Sequence, residues 1–128
     1  MFGIEIVPEA IVDAVWNAKI NGLSEDTYFV AGKAEDLISR DEYIAQHLEK
    51  IELVIVDPPR EGLHKSVVEF LLNMKKNNNF TLLYISCNPV TMARDIELLS
   101  GEHYALQSLQ PVDMFPHTHH VEMVGVLK

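Results

Sequence analysis

Short apolar runs rich in β-branched residues alternate along the chain with longer stretches whose apolar positions recur at helical spacing. Phe2 to Val7 reads as a short strand. Pro8 and Glu9 then open a helix, since proline is tolerated in a first turn. Ile11, Val12, Val15 and Ala18 give that helix an apolar stripe, and Gly22 can end it in the left-handed conformation. Thr27 to Ala31 is a second strand. Ala34 to Ser39 and Asp41 to Glu49 read as helical, with Asp41 able to cap the second piece. Ile51 to Val56 is nearly continuous in β-branched residues, the pattern of a strand buried on both faces. Lys65 to Met74 is a helix, followed by the polar break Lys75-Lys76-Asn77-Asn78-Asn79. Phe80 to Ser86 is a second buried strand, and Val90 to Leu99 a helix with Gly101 just past its end. Tyr104 to Val112 and Val121 to Leu127 close the chain as two strands.

Strands that alternate with helices imply a parallel sheet with helices on both faces. The last two strands have no helix between them, which predicts an antiparallel tail. The 128 residues suit one α/β domain, and the 48% apolar and 23% charged fractions are those of a globular protein. No apolar run approaches the roughly 20 residues of a membrane span. The start Met1-Phe2-Gly3-Ile4-Glu5 lacks the basic and cleavable parts of a secretory signal, so a cytoplasmic protein is expected. The single cysteine, Cys87, excludes an intramolecular disulfide and a multi-thiolate metal site. A net charge of -9 argues against this stretch holding a nucleic-acid backbone by bulk electrostatics alone.

Ligands of open α/β sheets bind outside the carboxyl ends of the strands, so the residues there carry the candidate chemistry. Glu5 ends the first strand, where a carboxylate can accept hydrogen bonds from ribose hydroxyls. Gly32-Lys33-Ala34-Glu35-Asp36 follows the second strand. Asp57-Pro58-Pro59-Arg60 follows the third, and its two prolines make a rigid loop over that edge. Ser86-Cys87-Asn88-Pro89 follows the fourth. Asn88 suits a helix cap and Pro89 a first helical position, so Cys87 is expected near a helix N-terminus, which favours thiolate. Glu122 interrupts the last apolar strand, and a partly buried carboxylate there would suit a general base. Three nearby histidines come without a metal-binding pattern, and no metal is expected.

Together these segments resemble the RNA uracil-5-methyltransferase family. Asp57-Pro58-Pro59-Arg60-Glu61-Gly62 is similar to its DPPRxG loop. Ser86-Cys87-Asn88-Pro89-Val90-Thr91 with Ala93-Arg94-Asp95 is similar to its nucleophile segment. Phe115-Pro116-His117-Thr118-His119-His120-Val121-Glu122 is similar to its FPxTxHxE closing motif. The wording around Asp113-Met114-Phe115 and Ala93-Arg94-Asp95 is nearer the rRNA branch, with 23S rRNA as the implied type, than the tRNA branch.

The resemblance implies a Rossmann-like methyltransferase fold that uses S-adenosylmethionine. It implies Cys87 as the nucleophile on C6 of uracil and Glu122 as the base that removes the C5 proton. Glu5, Lys33 and Asp57 are implied at the cofactor, with Lys33 where the family more often has Asn or Asp. Asn88 and Arg60 are implied at the RNA substrate. The chain begins where the family's second strand would, so the first strand, its glycine-rich loop and the RNA-binding domains are expected to be missing. That leaves Phe2–Val7 and Ile51–Val56 with open edges that pair with each other or with a second chain, and implies an inactive isolated chain. The alternative is a non-catalytic fragment or degenerate RNA-contacting module of the same fold.

Overall fold

The structure is a computed structural model, and it describes residues 1–37, 46–101 and 103–128. The chain divides into two compact units, Met1–His47 and Leu48–Lys128.

In the first unit, β1 (Phe2–Glu5) pairs in parallel with β2 (Tyr28–Ala31), with Glu5 opposite Ala31. Between them runs α1 (Pro8–Ile20), with Pro8 in its first turn, Glu9 near its N-terminus and Lys19 in its last turn. Both charges complement the helix dipole. The helix ends as expected at Gly22, whose φ is +70°. Leu23 N–H reaches the Ala18 carbonyl and Gly22 N–H that of Lys19, the pair of bonds that closes a Schellman motif. The buried face of α1 differs from the expected stripe. Ala18 is buried and Ile11 and Ala14 are half-buried, while Val12 and Val15 point to solvent. The two described strands of this unit offer α1 a narrow face to cover. The short α2 (Ala34–Leu37) follows β2. The expected helix from Asp41, with its cap, falls largely outside the described residues.

The second unit holds a four-stranded sheet in the order β3-β4-β6-β5. β3 (Leu53–Val56) and β4 (Thr81–Ser86) are parallel, and β6 (Glu122–Leu127) runs antiparallel to both β4 and β5 (Leu106–Val112). The antiparallel tail is therefore present. Along β4, Leu82, Tyr84 and Ser86 are buried and alternate with half-buried partners. They share a face with Leu127, and α3 (Lys65–Asn77) and α4 (Pro89–Leu99) cover that face with Val68, Leu71, Met74, Met92 and Leu99. β3 is not buried on both faces as its sequence suggests. Val54 and Val56 join the core, but Leu53 and Ile55 are 53% and 57% exposed. They point away from α3 and α4, and β3 has a strand on one side alone among the described residues. β1 likewise has β2 as its one partner among the described residues.

α3 runs on to Asn77 instead of stopping at Met74. Lys75 explains the extension: its ammonium donates to the Phe80 carbonyl at 2.7 Å and lies over the rings of Phe80 and Tyr104. Burial lowers its pKa. A lysine in the last turn suits the helix dipole, and its stem covers apolar surface.

Two buried phenols make stability sensitive to alkali. Burial, then the hydrogen bond to Asp95, raises the pKa of Tyr84, and burial raises that of Tyr104. Both ionise later in the folded chain than in the unfolded one. Stability is thus retained below pH 10 and lost as pH climbs past it, by about 1.4 kcal/mol per pH unit for each phenol. Urea midpoints between pH 9 and 11 should fall, and Tyr104→Phe should roughly halve the slope. A flat profile would contradict the burial of these phenols.

Candidate active site

The carboxyl ends of β3 and β4 and the start of β6 carry most of the expected site residues in the second unit. Ser86, the last residue of β4, lies opposite Met123 of β6. The ladder ends at that pair, with Cys87 the next residue after β4 and Glu122 the first residue of β6. Cys87 is half-buried, as is Glu122.

Asn88 and Pro89 start α4 as expected. The Asn88 side-chain oxygen accepts from Val90 N–H at 3.1 Å, the bond of an N-cap. Ser86, fully buried, braces the turn: its hydroxyl donates to the Asn88 carbonyl and accepts from Asn88 N–H. Cys87 is thereby fixed between a strand end and a capped helix N-terminus. The other end of the Asn88 amide donates to the Arg60 carbonyl at 2.9 Å. Asn88, implied at the substrate, thus has both side-chain ends engaged within the protein.

The loop from Asp57 to His64 is tied to α4 along its length. The Arg60 carbonyl also accepts from the Thr91 hydroxyl, and the Glu61 carbonyl from Arg94 Nη2 at 2.9 Å. Asp95 is 0% exposed. Its Oδ2 accepts from Leu63 N–H at 2.7 Å and from the Tyr84 hydroxyl at 2.6 Å. Its Oδ1 accepts from Arg94 Nε and Nη2 at 2.9 and 2.7 Å. Gly62 makes this possible: its φ is +84°, and a Cβ there would stand 2.5 Å from Asp95 Oδ2. Sequence reading found Arg94 and Asp95 as part of a motif but assigned them no work. The available signal was spacing, since Asn88, Thr91 and Asp95 recur at helical intervals and share one face of α4.

Asp57 ends up exposed beyond β3, and its carboxylate has no hydrogen-bond partner among the described residues. Glu5 and Lys33 lie in the first unit. Glu5 is exposed at the carboxyl end of β1, with Oε1 accepting from Val7 N–H at 2.9 Å. Lys33 is exposed two residues after β2.

The loop before β6 braces itself. The Thr118 hydroxyl donates to the Phe115 carbonyl and accepts from His120 N–H, and His117 takes a φ of +68°. Among the described residues, no helix is long and apolar enough to cross a membrane.

The whole arrangement matches a known architecture. An rRNA methylase from Streptococcus thermophilus superposes with a TM-score of 0.69 at 11% identity, over 99% of this chain and 71% of that one. The fold is thus that of a methyltransferase. The family is narrower: the tRNA (uracil-5-)-methyltransferase model matches residues 8–128, and the chain belongs to that family. An uncharacterized RNA methyltransferase of Bacteroides thetaiotaomicron is 47% identical over 100% of this chain and 27% of its own length. Another from Porphyromonas gingivalis is 48% identical over 99% of this chain and 26% of its own length. The chain spans about a quarter of the length of these curated relatives.

Proposed function

We propose that these residues form the C-terminal portion of the catalytic domain of an RNA uracil-5-methyltransferase, of the 23S rRNA type. The reading is supported above all by the place of Cys87 between the end of β4 and a capped helix start, beside the strand β6 that begins at Glu122. A thiol at one strand end and a half-buried carboxylate at the start of the neighbouring strand suit covalent addition and proton removal at adjacent carbons.

Cys87 Sγ attacks C6 of the uracil, and the electrons of the C5–C6 double bond move toward O4. C5 becomes nucleophilic and accepts the methyl group. The Glu122 carboxylate then takes the C5 proton. The electrons left behind re-form the C5–C6 double bond and expel the Cys87 thiolate.

S-adenosylmethionine, when bound, supplies the electrophilic methyl group. Each unit, taken by itself, offers groups suited to it. Glu5 keeps Oε2 without a partner among the described residues at the carboxyl end of β1, an acceptor for ribose hydroxyls. Asp57 offers a second unengaged carboxylate beyond β3, and Lys33 stands after β2 for the adenine side.

The isolated chain is proposed to be inactive, with RNA gripped through parts of the protein outside these residues. The edges of β1 and β3 that have no partner among the described residues, and the exposed Leu53 and Ile55, support pairing with a second copy. The test uses a full-length enzyme containing this segment. Glu122→Gln should accumulate a methylated RNA–protein adduct that survives denaturing gels, because proton removal is blocked after the methyl has arrived. The 128-residue chain in the same assay should give no product. Normal turnover by the Glu122→Gln enzyme would sink the proposal.

A further inference from the structure

We propose that Asn88 is a positioning residue for the reaction at Cys87: one side-chain amide holds both the helix start beside the thiol and the loop that carries Asp57. The role rests on the methyltransferase reading for the reaction it serves. The contacts that carry it all lie within the second unit.

The loop after β3 closes in a tight turn, with Gly62 N–H reaching the Pro59 carbonyl at 2.9 Å. The carbonyls of Arg60 and Glu61, at the middle of that turn, are met by α4. Asn88 Nδ2 donates to the Arg60 carbonyl at 2.9 Å, and Arg94 Nη2 to that of Glu61. The Thr91 hydroxyl shares its proton between the carbonyls of Arg60 and Asn88, at 3.1 and 3.2 Å. Arg60 and Glu61 are exposed residues, and water would serve their carbonyls too. A hydrogen bond exchanged against water adds little net stability. What these ties contribute is therefore placement of the loop.

Asn88 differs from the other ties in what its second end does. Its Oδ1 accepts from Val90 N–H at 3.1 Å, the bond that caps α4. Both bonds come from one planar amide, so neither end turns without the other. On one side Asn88 is the residue bonded to Cys87. On the other, only Pro58 and Pro59 separate its partner Arg60 from Asp57. Two prolines with fixed φ carry the placement of Arg60 back to Asp57 with little freedom. The thiol and the carboxylate proposed at the methyl donor are thus referred to a single side chain. Each end of that amide holds a backbone partner inside the protein, which separates this role from a contact with RNA. Misplacing reacting groups by about 1 Å can cost about 10²-fold in rate, the scale of effect such a residue controls.

The test uses a full-length enzyme containing this segment, with kcat and the Kd for RNA measured separately. Asn88→Ser is neutral and keeps a good helix cap, but it is too short to reach the Arg60 carbonyl. It should lower kcat by about 10–100-fold. The Kd for RNA should stay within about twofold, since the lost interaction is one that substrate binding does not use. Thr91→Val removes the shared donor to the same carbonyl and should lower kcat by a smaller factor. Thr91→Ser keeps the hydroxyl and should restore it. Counting competent enzyme by adduct formation with 5-fluorouridine RNA separates a slower site from a misfolded fraction. A Kd for RNA weakened more than kcat is lowered would make Asn88 a substrate ligand and overturn the role. An unchanged kcat in both Asn88→Ser and Thr91→Val would overturn it as well. A parent enzyme that methylates RNA without a Cys87 adduct would instead contradict the methyl-transfer reading, so the two failures are distinct.

Discussion

Asp95→Ala is expected to lower the stability of the chain by about 1–3 kcal/mol for each buried donor it strands, Asp95 being fully buried while its Arg94 partner is half-exposed. The carboxylate accepts four hydrogen bonds, from Leu63 N–H, the Tyr84 hydroxyl and two nitrogens of Arg94. Alanine leaves the Tyr84 hydroxyl without its partner in a core where Tyr84 is 0% exposed. It also releases Leu63, and with it the end of the loop that begins at Asp57. Domains of this size are stable by only about 5–15 kcal/mol, so the loss is a large share of the whole. Tyr84→Phe removes one donor and leaves three on the carboxylate, and should cost about 1 kcal/mol. Urea unfolding of the two variants beside the parent chain reads both numbers. An Asp95→Ala midpoint equal to that of the parent would show that the clamp contributes nothing.

The alternation of strands and helices was legible because each element carries a local mark. Gly22 ends α1 in the left-handed region, Asn88 caps α4 and Pro89 sits in its first turn, all where their chemistry suggests. β4 reads correctly for a similar reason, its apolar run being enclosed between β3 and β6. What failed depends on neighbours. Ile51–Val56 looks as apolar as β4, yet a run of β-branched residues is the same whether a partner lies on one side or two. Leu53 and Ile55 are exposed because of what stands beside β3, which no window of local sequence contains. The buried side of α1 and the added turn of α3 were missed on the same ground. The Lys75 stem is held by Phe80 and Tyr104, and Tyr104 is distant in sequence.

The site divides in the same way. Cys87, Asp57 and Glu5 were legible as candidates because strand ends in an α/β sheet are where ligands bind. Their relations were not. Cys87 and Glu122 come to the same end of the sheet through the register of β4 against β6. Asp95 reaches Leu63 across 32 residues of sequence, and Arg60 reaches His120 across 60. Hydrogen bonds of that span are fixed by the fold and leave no periodic trace. Arg94 and Asp95 could be noticed as a motif, but their task became visible only when the loop at Gly62 was seen lying against them.

Cys87→Ala in a full-length enzyme containing this segment should abolish methyl transfer, since loss of a covalent nucleophile lowers kcat on the order of 10⁴–10⁶-fold. The uracil C5 is a poor nucleophile until C6 carries an adduct, and nothing else at the β4 end of the sheet replaces a thiol, Cys87 being the single cysteine of the chain. Cys87→Ser tests reactivity against shape: it keeps the volume and the turn, and it should be nearly as inactive because a serine hydroxyl is not ionised. RNA carrying 5-fluorouridine makes the adduct observable. In the proposed mechanism fluorine takes the place of the proton that Glu122 removes, so elimination should stop after methyl transfer with the Sγ–C6 bond intact. Mass spectrometry of the digested complex is the most direct measurement. It should find the methylated fluorouridine on the peptide that contains Cys87, and no such adduct with Cys87→Ala. An adduct on any other residue, or one that survives in the alanine variant, would contradict Cys87 as the nucleophile.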